Sequence, residues 1–345
     1  MKKYLFYISQ NYSFAILRPI QNVIRGMGDE VRWFLEGSAI NPGYLKEDEK
    51  QLETIEQVKH YRADVVIAPA NSIPGFIPGL KVGVFHGFDP GKLDRSGHND
   101  HFKIRGCFDL YCTQGPNTTG PFQEMQKKYG FFNVIETGWS TLDPLFDYPP
   151  ATKSSKPTIL LCSTFSKRLS CAKHIFPTVE KLSQSGRWQW LVQFHPKMDT
   201  KVIDQYKSIQ GNHLKFIETD NVIPLLQQAD VMVCDTSSVI TMFLIQNKPV
   251  VTFKNINPGP YLLDIEIPAL LEQTIVKALD QPTALMRQIT EFARQTHPYA
   301  DGKSSQRVVS AIGDVLTGKH PLHKHKPLNI LRNLKYRKRL KYWKL

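Results

Sequence analysis

The class of fold is read most directly from VMVCDTSSV, residues 231–239. Four apolar residues are followed by an acid and three hydroxyl residues, and an amphipathic run begins directly afterwards. This order is typical of a buried strand that turns into a helix within a sheet covered on both faces. Hydroxyl side chains cap such a helix, and its free N–H groups attract phosphate. We interpret the polar residues as a phosphate-binding turn formed by Asp235, Thr236, Ser237 and Ser238. Helix capping by these side chains is the simpler alternative.

Apolar strand-like runs alternate with helical patterns on both sides of this stretch. The predicted strands are Lys3–Ile8, Val31–Leu35, Val65–Ala68, Val82–Phe85, Leu110–Thr113 and Val134–Glu136, then Thr158–Cys162, Trp190–Phe194, Leu214–Ile217, Val231–Cys234 and Pro249–Phe253. The pattern predicts an α/β fold with two doubly wound Rossmann-like domains. Ligands of such sheets bind at the carboxyl ends of the strands, so we expect the two domains to face each other across a ligand-binding cleft.

The domain boundaries follow from composition. Residues 142–157, LDPLFDYPPATKSSKP, have no periodicity and are rich in Pro, Ser and Lys, which indicates a linker. A chain of 345 residues is long enough for two domains. We predict an N-terminal acceptor-side domain at 1–145, a C-terminal nucleotide-binding domain at 158–316 and a basic amphipathic tail at 317–345. Residues 254–267 show no clear period and are predicted to form a long loop.

The cysteines and the N-terminus indicate a reducing compartment. The five cysteines form no CxxC pair, and three of them lie in or beside apolar runs, so we expect buried thiols rather than disulfides or a zinc site. The apolar run at the N-terminus is short for a signal peptide, and no cleavage site follows it. No stretch is apolar for long enough to cross a membrane. We expect a cytoplasmic protein.

Most of the positive charge lies at the C-terminus. The net charge is +13, but residues 319–345 carry ten Lys and Arg and no acid, which leaves only +3 for the rest of the chain. In NILRNLKYRKRLKYWKL, residues 329–345, leucines and aromatics alternate with these cations. This pattern favours a helix lying on an anionic membrane, so we expect peripheral attachment to the inner face of the cell membrane. The alternatives are a solvated charged tail or a nucleic-acid patch, and we predict no nucleic-acid partner.

A histidine ends a predicted strand in each half of the chain. His86 and Gly87 follow Val82–Phe85, where a neutral imidazole is suited to accepting a proton from a hydroxyl and a glycine lets a ligand approach closely. Lys92 and Arg95 follow in the same predicted loop. They are predicted to contact the acceptor, the molecule that carries this hydroxyl. In the second half His195 follows Trp190–Phe194, with Lys197 beside it, and both are suited to a diphosphate.

Two further turns carry candidate binding residues. Ser163, Thr164, Lys167 and Arg168 stand at the first strand-to-helix turn after the linker, where hydroxyls and cations suit phosphate oxygens. Thr219 and Asp220 cap the next helix or reach a nucleotide. The chain contains neither GxGxxG nor a P-loop, which disfavours simple nicotinamide and P-loop ATP chemistry. We predict no metal site and no cofactor.

Together these motifs resemble the CDP-glycerol glycerophosphotransferase family. The resemblance rests on FHG (85–87), HPK (195–197) and ETDNVIPLLQQADVMVCDTSSVITMFLIQNKPVV (218–251). It implies a glycosyltransferase-B fold and a transfer of glycerol phosphate from CDP-glycerol to a hydroxyl, with release of CMP. The acceptor is expected to be a glycan or a lipid-linked molecule, in the synthesis of teichoic acid, capsule or a related cell-surface polysaccharide.

The resemblance also implies roles for individual residues. His86 stands at the position of the general base, and His195 at that of the group that binds phosphate or stabilises its charge. Ser237 and Ser238 are expected to hold the diphosphate, and Asp220 to lie near the nucleotide.

Three other functions remain open at this point. The first is a glycosyltransferase that uses a CMP-activated sugar acid, such as sialic acid or Kdo, or another nucleotide sugar. The second is an isomerase similar to UDP-N-acetylglucosamine 2-epimerase. The third is an inactive nucleotide-binding or membrane-scaffold protein.

Overall fold

Runs of buried apolar residues form the strands of two parallel sheets in the computed structural model, which describes residues 1–38, 40–88, 97, 99–147, 155–195, 197–219 and 221–344. The chain divides into a first unit, Met1–Asp143 with Asp301–Leu345, and a second unit, Pro144–Ala300. The first sheet contains β1 (Lys3–Ile8), β2 (Glu30–Leu35), β3 (Gln51–Leu52), β4 (Val65–Ala68), β5 (Leu80–Val84), β6 (Leu110–Thr113) and β7 (Asn133–Glu136). The second contains β8 (Thr158–Ser163), β9 (Gln189–Phe194), β10 (Leu214–Phe216), β11 (Val231–Cys234), β12 (Val250–Phe253) and β13 (Leu263–Ile265).

The two sheets share one topology. The strand orders are β3-β2-β1-β4-β5-β6-β7 and β10-β9-β8-β11-β12-β13, and all the pairings are parallel. In each sheet the direction of winding reverses between the first strand and the fourth. The crevice at the carboxyl end of this reversal point is where doubly wound sheets bind ligands. The predicted α/β fold class, with two doubly wound sheets, is confirmed.

The helices pack on these sheets. They are α1 (Ser13–Gly26), α2 (Ile55–Tyr61), α3 (Pro116–Tyr129), α4 (Asp143–Asp147), α5 (Ala172–Gln184), α6 (Thr200–Ser208), α7 (Ile223–Gln228), α8 (Val239–Leu244), α9 (Leu271–Leu279), α10 (Thr283–Thr296), α11 (Ser304–Leu316) and α12 (Ile330–Arg339). All five cysteines are buried free thiols, as predicted. Burial raises the pKa of Cys112 and of Cys162 to about 12, so both thiols stay protonated.

A buried carboxylate ties the second sheet together at its reversal point. Asp235 follows β11 and is 0% exposed. Its oxygens accept the Ser163 hydroxyl at 2.6 Å and the backbone N–H groups of Thr164, Cys171 and Thr236 at 2.6 to 3.1 Å. Because a carboxylate removed from water needs such donors, the loop after β8 is held against the loop after β11.

The last helix before the tail belongs to the first unit, not to the second as the predicted boundary at residue 316 placed it. α11 packs against α1. The carboxylate of Asp143 accepts the backbone N–H groups of Ser304 and Ser305 at 2.8 Å each, and so caps this helix from a distant part of the chain. The second unit therefore ends at Ala300.

Two segments predicted to lack regular structure contain it. The start of the predicted linker is α4, whose carbonyl groups at Pro144 and Leu145 accept the Gln227 side chain. The predicted long loop at 254–267 contains β13, because Leu263–Ile265 pairs with β12 at the edge of the sheet. A three-residue edge strand is too short for its pattern to be read from sequence.

The C-terminal tail is a structural layer of the first unit. No α-helix lies between β4 and β5, and none occurs between β5 and β6 in the described residues 85–88, 97 and 99–109. The segment around α12 packs on this part of the unit. The Tyr336 hydroxyl lies 2.7 Å from the Ser72 hydroxyl, and the buried Tyr342 belongs to the core cluster of the first unit. The tail thus covers apolar surface that a crossover helix covers elsewhere.

One glycine is needed for this packing. Gly106 has a φ of +68°, and a Cβ built on it would lie 2.5 Å from the Pro327 ring. The Asn329 side chain also donates to the Gly106 carbonyl at 2.8 Å. A left-handed backbone and a close approach both exclude a larger residue here.

Truncating the buried tyrosine of the tail should destabilise the first unit. We expect Tyr342→Ala to lower the free energy of unfolding by about 3 kcal/mol, because a large buried ring is removed. The neighbouring Trp343 is 61% exposed, and Trp343→Ala should change stability by no more than about 0.5 kcal/mol. Urea denaturation followed by circular dichroism measures both. Equal effects would mean that the tail is not part of the core.

Asp235→Asn should weaken the second unit, because an amide NH₂ would face N–H donors that now share a carboxylate. We expect a loss of about 2 to 3 kcal/mol in the free energy of unfolding. Asp204, which is exposed on α6, is the matched control, and Asp204→Asn should have little effect. A neutral Asp235→Asn variant would contradict the tying role of this carboxylate.

Candidate active site

The candidate histidine of the first unit is held in one tautomer. His86 lies just beyond β5, and its Nδ1 is 3.2 Å from the carbonyl oxygen of Pro69, which follows β4. A carbonyl oxygen only accepts hydrogen bonds, so Nδ1 carries the proton and Nε2 keeps its lone pair. The imidazole also stacks on Tyr12, with ring centroids 5.8 Å apart. Loops after β1, β4 and β5 therefore meet at the reversal point of the first sheet, with Nε2 available as a base.

Gly87 is adjacent to this histidine but is not required by the backbone. Its φ lies outside the left-handed region, and a Cβ built on it would meet no atom of the described residues within 4 Å. Its carbonyl accepts the side-chain N–H of the buried Gln114 at 3.0 Å. The turn after His86 is therefore held by Gln114, and none of the described residues fills the space beside Gly87. Lys92 and Arg95 lie outside the described residues.

The candidate histidine of the second unit is held in the opposite tautomer. His195 follows β9, and its Nδ1 accepts the backbone N–H of Lys197 at 3.0 Å. Nδ1 is therefore unprotonated, and the proton of the neutral ring is on Nε2, which can donate. Burial, and then the charge of Lys197, lower the pKa of His195. At neutral pH this ring is a neutral hydrogen-bond donor.

An exposed aromatic ring and a lysine lie next to this second histidine. The Phe165 ring lies 4.6 Å from the His195 ring and 5.8 Å from the Lys197 ammonium group. Lys167 and Arg168, in the same loop as Phe165, are exposed. The loops after β8 and β9 thus carry three exposed cations and one imidazole donor, which is the chemistry that phosphate oxygens need.

The hydroxyl residues after β11 fall into two groups. The Thr236 hydroxyl accepts the backbone N–H of Ile256 at 3.2 Å, and it holds the loop after β12. Ser237 and Ser238 begin the turn into α8, and within the described residues their side chains make no hydrogen bond. Their hydroxyls are therefore the ones that can turn to a ligand.

The side chains of three predicted binding residues, Ser163, Asp235 and Thr219, make hydrogen bonds to other protein groups. The Ser163 hydroxyl is buried and bonded to Asp235, whose own oxygens are occupied by protein donors. The Thr219 hydroxyl closes a turn with Asn221. Thr164 is held through its backbone N–H, which leaves its side chain at the loop surface. Asp220 lies outside the described residues.

Sequence reasoning missed four residues that contact the histidines or the adjacent turn. No motif marks them, because their roles depend on loops that are distant in sequence: Tyr12, Pro69, Gln114 and Phe165. An aromatic in the loop directly after the first strand of each half was the one available signal. The described part of the chain contains no group of three or more His, Cys, Asp or Glu residues placed to bind a metal ion.

Comparison with known proteins finds one family model that matches part of the chain. Residues 179–314 match the model of CDP-Glycerol:Poly(glycerophosphate) glycerophosphotransferase. This segment contains His195 and the Asp235–Ser238 turn, and it begins beyond His86 and the loop of Phe165. No curated protein sequence matches the chain.

Solved structures share the fold at low sequence identity. The wall teichoic acid polymerase TagF is 16% identical with a TM-score of 0.64, covering 93% of this chain and 90% of that one. The S. aureus MnaA–UDP complex is 16% identical with a TM-score of 0.60, covering 92% and 97%. The Neisseria meningitidis UDP-GlcNAc 2-epimerase bound to UDP-GlcNAc is 10% identical with a TM-score of 0.59, covering 90% and 100%.

The glycosyltransferase-B type of fold is confirmed by these likenesses, and the resemblance noted from the motifs is confirmed by the family match. Residues 179–314 are thus similar to the CDP-glycerol glycerophosphotransferase family, and the chain is a transferase enzyme.

Proposed function

We propose that this enzyme transfers glycerol phosphate, or a related polyol phosphate, from CDP-glycerol to a hydroxyl of a glycan or lipid-linked acceptor. The products are a new phosphodiester and CMP, and the process is the synthesis of a teichoic acid, capsule or similar cell-surface polysaccharide. The observation that carries the proposal is the pair of opposite tautomers. One histidine offers a free Nε2 lone pair and the other an Nε2–H donor, as a hydroxyl acceptor and a charged donor require.

His86 is the general base of the proposed reaction. Its Nδ1 is occupied by the Pro69 carbonyl, so Nε2 is the atom that takes the proton from the acceptor hydroxyl. The acceptor oxygen then forms a bond to the phosphorus that carries glycerol. The space beside Gly87, which none of the described residues fills, suits the approach of this acceptor. Lys92 and Arg95 belong to the same loop and remain predicted acceptor contacts.

The donor is held by the second unit. As the acceptor oxygen bonds to phosphorus, the bond to the bridging oxygen breaks and CMP leaves with the electron pair. His195 donates its Nε2–H to a phosphate oxygen, and the cations Lys167, Arg168 and Lys197 offset the diphosphate charge. Ser237 and Ser238 supply hydroxyl donors at the turn into α8.

The remaining residues predicted to bind the donor position the loops around this site. Asp235 and Ser163 position the loops after β11 and β8, and Thr236 positions the loop after β12. Thr164 stands at the loop surface, and Thr219 shapes the turn that precedes α7, the place where Asp220 is proposed to meet the nucleotide.

The tail is proposed to bind an anionic membrane surface, on the cytoplasmic face of the cell membrane. Five apolar side chains of this segment are 45 to 79% exposed: Leu328, Ile330, Leu331, Leu334 and Trp343. Lys335, Lys338 and Lys341 are exposed on the same segment. Exposed leucines among lysines favour the interface of an anionic bilayer. Within the described residues, no helix meets the length and apolarity that crossing a membrane requires.

Removing the base should separate donor binding from transfer. We expect His86→Ala to lower the rate of CMP release in the presence of acceptor by about 100-fold or more. CDP-glycerol should still raise the melting temperature of this variant as much as that of the unaltered protein, because the donor is held by the second unit. His60, exposed on α2, provides the control substitution His60→Ala, which should leave the rate unchanged.

The melting-temperature assay also distinguishes between the possible donors. CDP-glycerol should stabilise the protein more than CMP does, with CMP-sialic acid and UDP-N-acetylglucosamine weaker. If a CMP-activated sugar acid stabilises most and supports CMP release, the glycosyltransferase alternative replaces this proposal. Full activity of His86→Ala would remove the assigned base.

Membrane binding should depend on the exposed leucines of the tail. We expect Leu331→Ser to weaken binding to vesicles containing phosphatidylglycerol by roughly tenfold, since one buried leucine contributes about 1.5 to 3 kcal/mol. Ile267→Ser removes an apolar residue of the second unit that is 58% exposed and should have no effect. Binding should also fall with added salt. Equal binding by both variants in a sedimentation assay would contradict docking through the tail.

A further inference from the structure

The two candidate histidines have matching surroundings in their own units. Each packs against an aromatic ring from the loop that follows the first strand of its sheet. Tyr12 follows β1 and lies 5.8 Å from His86, with an angle of 28° between the ring planes. Phe165 follows β8 and lies 4.6 Å from His195, with an angle of 39°. The same element of the fold supplies the ring in both sheets.

Neither ring is explained by core packing. Tyr12 is 48% exposed and Phe165 is 46% exposed, whereas the large aromatics of both cores are buried. Tyr12 precedes α1 but makes no side-chain capping bond, and its hydroxyl has no hydrogen-bond partner among the described residues. Exposed apolar surface is normally tolerated singly, but here it lies at the reversal point of each sheet, against the residue with a proposed chemical role.

A hydrogen bond alone does not orient an imidazole. In each histidine one bond anchors Nδ1, to the Pro69 carbonyl in one case and from the Lys197 N–H in the other. The ring can still swing about that anchor, which moves Nε2 through an arc. An aromatic ring packed against the imidazole, stacked in the case of Tyr12 and tilted in the case of Phe165, blocks this swing and restricts the direction of Nε2.

We propose that Tyr12 and Phe165 are positioning residues, each of which fixes the ring plane of its histidine and so the direction of Nε2. The proposal rests on the proposed function for its catalytic consequence. The structural part of the proposal, that an aromatic ring fixes the plane of the imidazole, does not depend on the substrate. For Tyr12 the working part is the aromatic ring and not the hydroxyl.

The environment of His195 agrees with this role. Burial is the larger cause of its lowered pKa, and Lys197 is the charged group that adds to it. The Phe165 ring is the closest aromatic contact of this imidazole. Removing the ring lets water reach the imidazolium and should therefore raise the pKa of His195 toward its ordinary value.

The test uses ¹⁵N NMR of the histidine rings in the full chain, with Tyr12→Leu and Phe165→Leu compared with the unaltered protein. We expect the unaltered protein to show His86 protonated at Nδ1 and His195 at Nε2. Tyr12→Leu should broaden the His86 ring signals, because the ring then samples several planes about its Nδ1 anchor, and Phe165→Leu should raise the pKa of His195. Tyr12→Phe and Phe165→Tyr keep the rings and should restore the original spectra.

Kinetics provide the second readout. The Leu variants should lower kcat for CMP release by roughly 10- to 100-fold, since misorientation of a catalytic group costs rates of this order, with little change in KM. Tyr12→Phe should stay within about twofold of the unaltered enzyme. Tyr44 is a tyrosine of the same unit that is 50% exposed and packs on Phe14, so Tyr44→Leu is the matched control and should change neither spectra nor rates.

The outcomes separate this inference from the proposed function. Unchanged ring spectra in both Leu variants would overturn the inference, and so would a Tyr12→Phe variant as impaired as Tyr12→Leu, since the hydroxyl would then be the working group. If the unaltered protein fails to use CDP-glycerol, the proposed function falls, while the NMR comparison still tests the positioning role. Melting curves of all five variants, the Tyr44→Leu control included, check that each is folded.

Discussion

The buried carboxylate of Asp235 is the constraint on which the candidate site of the second unit depends. It is removed from water, and in the described structure it is matched by a hydroxyl and three backbone N–H groups rather than by a cation. Such a group is stable only while every donor stays in place. The loops after β8 and β11 are therefore held together at the point where the winding of the sheet reverses. Ser237, Ser238, Phe165 and the cations beside them are all carried by these two loops.

The first unit reaches a comparable arrangement by different bonds. At its reversal point the loops after β1, β4 and β5 meet through the stacking of Tyr12 on His86 and the bond from His86 to the Pro69 carbonyl. Both units thus place one histidine, anchored at Nδ1 and packed on an aromatic ring, at the carboxyl edge of a parallel sheet. The difference between them is the direction of the anchoring bond, which makes one Nε2 an acceptor and the other a donor. Backbone groups set this difference, so it does not depend on nearby charges.

The tail both packs on the core of the first unit and exposes apolar side chains. Tyr336, Tyr342 and the side chain of Asn329 pack on or bond to the first unit, while Leu328, Leu331 and Trp343 remain exposed among lysines. Within α12, Tyr336 is buried while Leu331 and Leu334 are exposed, because side chains on opposite faces of a helix recur with its period. The core contact holds the exposed apolar face in a defined place, which a solvated tail would not do.

Sequence by itself determined most of the elements and the class of fold. Eleven of the described strands follow apolar runs at or within a residue or two of the predicted ends, from Lys3–Ile8 to Val250–Phe253, because strands buried on both faces leave an unbroken apolar signal. The motifs around His86, His195 and Ser237 were readable because they stand where strands end. Only the tertiary structure decided the tautomers of the histidines, the positions of Tyr12 and Phe165, the capping of α11 by Asp143 and the burial of the tail. Each of these depends on contacts between segments far apart in the chain, and such contacts leave no local period or spacing to read.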